Sequence, residues 1–472
     1  MKTTKKVGCL YKRKVNKKHW GENNMKKNEY GLFTAIAMIV GIVIGSGIFF
    51  KSDNILVATG GSVALGVLVF CIAAIAIIFG SLTISQLASR SSKEGGLISY
   101  AEEYYNKSMS CAFGWFQTFL YFPTLIAVVS WVAGIYICIL FGIEGKLETQ
   151  MLIGLGIMIF LFVLNTISAK LGGIFQNAST IIKIVPLIII AMAGLAFGDT
   201  SSVLLSDVTA MKSTGWIAAI APIAFSFDGW SVSTSIAHEI KDSKRNLPKA
   251  LIIAPIFILI LYVLYFVGIS MYIGPENIMA LGDAHVDLAA NTLLGSWGAK
   301  IILIFVIISI MGTINGLTLG MIRLPHSLAV RKMFPKSEVI DKVNDKLLMP
   351  VNSAIVAFAI SIVWFILHYL TTKFGILPNS DISEISITMS YTLYILLYIK
   401  VIQLGNKGVV TGVWNSKINP ILATIGSLII LFGSMGNKLF WVYAAVCLLV
   451  IMSAVLFWKG KEKTIGRTLV ES

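Results

Sequence analysis

Twelve apolar stretches, each about as long as a bilayer crossing, recur along the chain with short polar joints between them. A span needs about 20 apolar residues. Such stretches lie at 31–50, 62–86, 110–138, 150–168, 178–197, 215–237, 250–273, 299–321, 352–370, 382–402, 418–436 and 438–458. Ser383, Glu384 and Ser386 dilute the tenth, and short loops bracket the eleventh. Inside hydrocarbon every backbone N–H and C=O must find a partner within the protein, which restricts such a chain to helices. The expected fold is therefore all-α and integral to the membrane, with about 12 transmembrane helices. The chain is 56% hydrophobic and only 13% charged, where soluble domains carry roughly a quarter charged residues.

The net charge of +15 raises the question of nucleic acid, but its distribution answers it. If both termini lie inside, 31 of the 38 Lys and Arg residues fall in the tails and internal loops. The external loops hold 6 (Lys51, Lys146, Lys212, Lys300, Lys373 and Lys438), and Lys183 lies within a span. This asymmetry follows the positive-inside rule and predicts cytoplasmic N- and C-termini. The first 30 residues are too polar and basic for a cleaved leader, so span one doubles as the insertion signal. The Lys-rich tail around Lys12-Arg13-Lys14 and Lys17-Lys18 is read as a solvated topology determinant that can also touch anionic lipid. The cysteines Cys9, Cys71, Cys111, Cys138 and Cys447 are scattered without metal or redox spacing and read as packing residues.

Two spans are interrupted. Gly41-Ile-Val-Ile-Gly45-Ser46-Gly47-Ile48-Phe49 places three glycines and a serine within seven residues of span one. Each glycine weakens a helix, and broken backbone at that depth is tolerated only inside protein or along a cavity. Span six carries a second such cluster, Phe225-Ser226-Phe227-Asp228-Gly229-Trp230-Ser231. Interrupted first helices in two five-span halves point to an inverted repeat with a binding site where the breaks meet. The expected organisation is a basic tail (1–30), a first repeat (31–199), a second (200–410), helices eleven and twelve (411–458) and a C-terminal tail (459–472). Half-helix ends expose amides and carbonyls that can hold both ends of a small zwitterion, which is the chemistry of an amino acid transporter.

The longer internal loops are charged. Residues 87–109 contain Lys93-Glu94-Gly95-Gly96 and Tyr100-Ala-Glu102-Glu103, residues 238–249 contain His238, Glu239, Lys241, Lys244, Arg245 and Pro248, and residues 322–350 contain Arg323, His326, Arg331 and Lys332. A solvated loop is the plain reading of each, and a salt-bridged inner gate the functional one.

Four motifs together give the chain a resemblance. They are Gly45-Ser46-Gly47-Ile48-Phe49, then Gly95-Gly96 with Tyr100, then Phe225-Ser-Phe-Asp-Gly229-Trp230 running into Glu239…Lys241…Lys244-Arg245-Asn246-Leu-Pro248, and Asn315-Gly316 with Arg323 and Phe334-Pro335. Over roughly residues 30–460 the chain resembles the amino acid–polyamine–organocation superfamily, in its L-type amino acid transporter branch. It is most similar there to the bacterial serine/threonine exchangers. The resemblance implies a LeuT-like fold of five-plus-five inverted repeats with discontinuous helices one and six, two extra helices, and alternating access around a midplane site. It implies that the substrate carboxylate meets the amides of Ser46, Gly47 and Ile48 and the Ser46 hydroxyl, within the segment Val43, Ile44, Gly45, Ser46, Gly47 and Ile48. The α-ammonium would meet carbonyls near Val43, Phe225 and Asp228, within Phe225, Ser226, Phe227 and Asp228, and Phe225 would be the gate that closes over the substrate. The chain departs from the family pattern in Ser92, where many relatives have proline, in Phe227, where a tyrosine is frequent, and in its longer basic tail.

The buried ionisable residues each carry two readings. Lys183 is the one lysine deep in an apolar span, and such a group is by default functional. It lies only about 8 Å inside its span at helical rise, so it can also snorkel. The resemblance implies that it occupies the place of a sodium ion in sodium-coupled relatives, so that transport is sodium-independent. Asp228 can attract a cationic substrate, bind a proton, or hydrogen-bond the freed backbone of the break, and the last is the simplest reading. Trp230 is first a packing residue. Asn315 is first a polar glue between helices, with a reach toward Lys183 or substrate as the alternative.

The expected activity is secondary transport of a neutral L-amino acid, serine/threonine-like or larger, across the cell membrane, by exchange or, second, with a proton. No cofactor, metal, nucleic acid or partner subunit is implied; the partners are the amino acid, a proton and the bilayer. An amino-acid-sensing receptor of the same fold is the rival. An enzyme is disfavoured because His19, His238, His285, His326 and His368 show neither triad nor metal spacing. A channel is disfavoured because no ring of charge or repeated filter segment appears.

Overall fold

The computed structural model describes residues 31–45, 47–91, 96–201, 215–231 and 240–470. Among them ten helices are long and apolar enough to cross a membrane, and no strand forms. Spans two to five are Val63–Ala88, Lys107–Phe141, Leu147–Ile167 and Leu171–Phe197, and span seven is Arg245–Ile273. Span eight belongs to His285–Val330, which turns at Gly295, and spans nine to twelve are Val351–Lys373, Ile382–Asn406, Trp414–Ser434 and Phe440–Lys463. The diluted tenth and the bracketed eleventh segments both form full-length helices. Spans one and six are the two short ones, which completes the expected twelve.

The molecule is inverted relative to a soluble protein. Leu152, Ile181, Phe197 and Leu449 lie bare on the outside, as side chains facing lipid do. Inside sit Ser81, Ser130, Ser309, Thr318 and Ser386, all buried between helices, because small polar residues let backbones approach closely. Span seven lies against the first half of span one, and also along spans two and five. It thereby becomes the backing of the first break.

Two local irregularities aim side chains at the centre. Span five is interrupted at Lys183, between Ala169–Ile182 and Ile184–Phe197. Pro186 has no N–H to give the Ile182 carbonyl one turn earlier, so the ladder opens there. Span three widens into a π turn over Gln117–Tyr121. That extra residue rotates Tyr121 toward span six, a common use of π turns near functional positions.

Candidate functional site

Span one runs as a helix over Leu32–Val43 and stops when Ile44 becomes extended (ψ 110°), its amide held by the Val40 carbonyl at 2.8 Å. Gly45 bends, Ser46 lies outside the described residues, and the helix restarts at Gly47–Phe50 and continues through Ser52–Ala58. All three glycines are explained by space. A Cβ on Gly41 would lie 2.3 Å from Thr180 Cγ2 of span five, and one on Gly45 would lie 2.7 Å from Thr313 Oγ1 of span eight. On Gly47 it would lie 2.8 Å from the Cα of Ser226 in span six. The run is a docking strip for three neighbouring helices.

The Gly47–Ser226 approach brings the two breaks together. Span six is helical over Ile220–Ser226, after which the Phe227 amide donates to the Ile223 carbonyl and the Asp228 amide to the Phe225 carbonyl. Gly229 then adopts φ 97°, a value that side chains resist, and the helix ends. Residues 232–239, which hold the expected loop residues His238 and Glu239, lie outside the described set.

One side chain joins the frayed ends. The Tyr262 hydroxyl of span seven lies 2.9 Å from the Ser226 carbonyl and 3.3 Å from the Val43 carbonyl. Tyr262 is fully buried, and its single proton serves one carbonyl at a time. Its ring packs on Phe227 at 5.3 Å and on Phe70 at 6.2 Å. Phe227 thus lies in an aromatic cluster behind the break.

Phe225 is the lid. Its ring meets the Phe50 ring edge-on at 5.2 Å, and the Lys51 ammonium sits 5.2 Å from its centroid. Lys51 donates in turn to Asp381 at 2.6 Å and to Glu384, both at the start of span ten. Together these contacts join the restarted helix of span one to spans six and ten. Sequence reasoning placed Lys51 among external loop charges, yet it is 1% exposed.

Asp228 accepts the Tyr121 hydroxyl, which ties the turn of span six to span three. Next to it Trp230 packs edge-on against Tyr394 at 5.2 Å, and Tyr394 donates to Ser231 at 3.1 Å. Lys183 is buried and reaches the Gly41 carbonyl at 3.3 Å, so it touches span one in the last turns before the break. Asn315 stands apart from this centre. It donates to the Gly172 carbonyl and to Gln176 at 3.0 and 3.1 Å, and accepts from Asn165 at 2.9 Å, joining spans four, five and eight.

At the basic end, Arg331 pairs with Glu102 at 3.4 Å and donates to Ser99 at 3.1 Å. The loops at 87–109 and 322–350 are thereby tied together. Gly96, at φ 57°, starts the short helix Leu97–Tyr104 that presents Glu102. Its partner in the motif, Gly95, lies outside the described residues.

Geometrically, two helix ends with their carbonyls and a restarted helix with its first amides meet beside the Phe225 ring. That arrangement can hold a group carrying both charges. A family model described as amino acid permease matches residues 30–470. A serine/threonine exchanger, SteT, of Bacillus subtilis (strain 168) is 30% identical over 419 residues, covering 88% of this chain and 92% of that protein. The b(0,+)-type amino acid transporter 1 of Mus musculus is 24% identical, covering 92% of this chain and 87% of that protein. The cystine/glutamate transporter of Homo sapiens is 24% identical, covering 74% and 70%.

Proposed function

The chain belongs to the amino acid permease family and is a multi-pass membrane transporter of amino acids, and on that premise we propose that it carries a neutral L-amino acid across the cell membrane without sodium. Its cycle is exchange, with a proton-coupled mode second, and both termini face the cytoplasm. Spans 31–199 and 200–410 act as the two repeats, and helices 411–458 as an appendix. No covalent chemistry takes place: ligand binding biases a switch between two arrangements of the bundle.

The observation that carries this reading is the meeting of Gly47 with Ser226, with Tyr262 spanning both broken ends. In the proposed complex the substrate carboxylate takes the amides of Ser46, Gly47 and Ile48 together with the Ser46 hydroxyl. The α-ammonium takes carbonyls near Val43, Phe225 and Asp228, and Phe225 closes the site. Lys183 supports sodium independence, because its ammonium already stands at the Gly41 carbonyl where a cation would otherwise be needed. The relative named a serine/threonine exchanger supports a small hydroxylated substrate and an exchange cycle.

Counterflow in proteoliposomes tests the proposal. Vesicles loaded with L-serine should accumulate labelled L-serine or L-threonine equally well in sodium and in choline medium. Binding without counterflow would favour the receptor reading, and accumulation that requires sodium would overturn the role given to Lys183.

A further inference from the structure

The charges that close the lid do not balance. One ammonium, Lys51, faces two carboxylates, Asp381 and Glu384, and all three side chains are at most 5% exposed. A buried carboxylate without a counter-charge is strongly disfavoured, so the closed arrangement has room for one more positive charge. The surroundings do not supply it. Asp53 and Asp283 also lie near Lys51, but they are acids that burial pushes toward the neutral form and neither can supply a positive charge; His285 lies beside Asp53 and burial disfavours its charged form. Tyr443 of span twelve faces Asp381 and is neutral as a phenol. His368 of span nine also lies near Asp381, but neither of its ring nitrogens has a hydrogen-bond partner. A buried imidazolium without an acceptor is itself costly.

The two carboxylates are not equivalent. Asp381 caps span ten, accepting from the Ser383 amide at 2.8 Å and from the Ser383 hydroxyl. It sits where the helix dipole favours an anion. Glu384 has no backbone donor: one oxygen takes Lys51 and the other meets the Ser380 hydroxyl at 2.6 Å. A hydroxyl can turn from donating to accepting, so Glu384 can hold a proton there without losing that bond. Resting on the carrier reading above, we propose that Glu384 is a proton-binding site of the outer gate, occupied while Lys51, Asp381 and Phe225 are closed together and emptied to the outer solution when they part.

Protons favour the closed gate, so external acid holds it shut and external alkali releases it. The proton returns to the side it came from, so this site tunes opening without carrying a proton across. In proteoliposomes with internal pH fixed, initial uptake should fall as external pH is lowered, by up to about tenfold per pH unit for one linked proton. Glu384→Gln supplies a permanently neutral partner and leaves Lys51 paired one-to-one with Asp381. Its uptake should be slower at alkaline pH and flat across external pH, while His368→Gln should keep the wild-type slope.

A wild-type profile that is flat in external pH would overturn the proposal without any variant. So would Glu384→Gln retaining the wild-type slope, or His368→Gln abolishing it. Absence of wild-type counterflow at every pH would instead strike the carrier reading on which the proposal stands.

Discussion

Tyr262 illustrates how little of a binding centre a single residue announces. In the sequence it is one tyrosine in a long apolar run. Only the packing of span seven behind span one places its hydroxyl between two freed carbonyls. Losing one buried hydrogen bond with its acceptor left unsatisfied costs on the order of 1–3 kcal/mol. Tyr262→Phe should therefore lower thermal stability in detergent and slow counterflow about tenfold or more, since 1.4 kcal/mol is tenfold in rate. Unchanged counterflow would detach Tyr262 from the site. Phe225→Ala should reduce uptake to background with the protein still inserted, because the lid loses its contact with Phe50 and Lys51. Lys183→Ala should do the same by orphaning the Gly41 carbonyl. Normal uptake by both variants would remove the mechanism. Lys183 stands out in the sequence because an ammonium in an apolar span needs a reason. Lys51 did not, being at a span end where basic residues are ordinary. Glu384 reads in the sequence only as a polar residue that dilutes span ten. That Lys51, Asp381 and Glu384 meet depends on a separation of more than 300 residues, which no local pattern encodes.

At the scale of helices, both interruptions were legible, because glycine clusters and a lone aspartate are anomalous in hydrocarbon. Their cause was not legible. Helix-breaking glycines suggest conformational freedom, whereas Gly41, Gly45 and Gly47 are each demanded by a neighbour's atoms. The distinction yields a paired test. Gly45→Ala collides with the end of the Thr313 side chain, so the companion change Thr313→Ala should restore most of the lost counterflow. Gly47→Ala collides with the backbone of Ser226, and Ser226→Ala should restore none. Equal rescue at both positions would contradict the close approach of the two breaks. The π turn at Tyr121 lies equally beyond sequence periodicity. Its apolar pattern continues through the turn, and only the bond to Asp228 shows why the register shifts there.

Across the whole molecule, twelve crossings and an all-α architecture followed from hydropathy alone, since lipid leaves a chain few alternatives. The proposed orientation rests on 31 basic residues assigned to the inner side against 6 to the outer, and Lys51 can leave the latter group without disturbing the asymmetry. Among the described residues, Phe225, Lys51, Asp381 and Glu384 cluster in one place and Arg331 pairs with Glu102 in another. On the proposed reading these are the two closures that alternation between two faces requires. The most direct test of the central assertion is the position of the substrate itself. A cryo-EM structure in nanodiscs with saturating L-serine should show a zwitterion between residues 45–48 and 225–228, its carboxylate at the Gly47 and Ile48 amides and its ammonium toward the carbonyls of Val43 and Phe225. Ligand density elsewhere, or either helix running unbroken through that depth, would contradict the account.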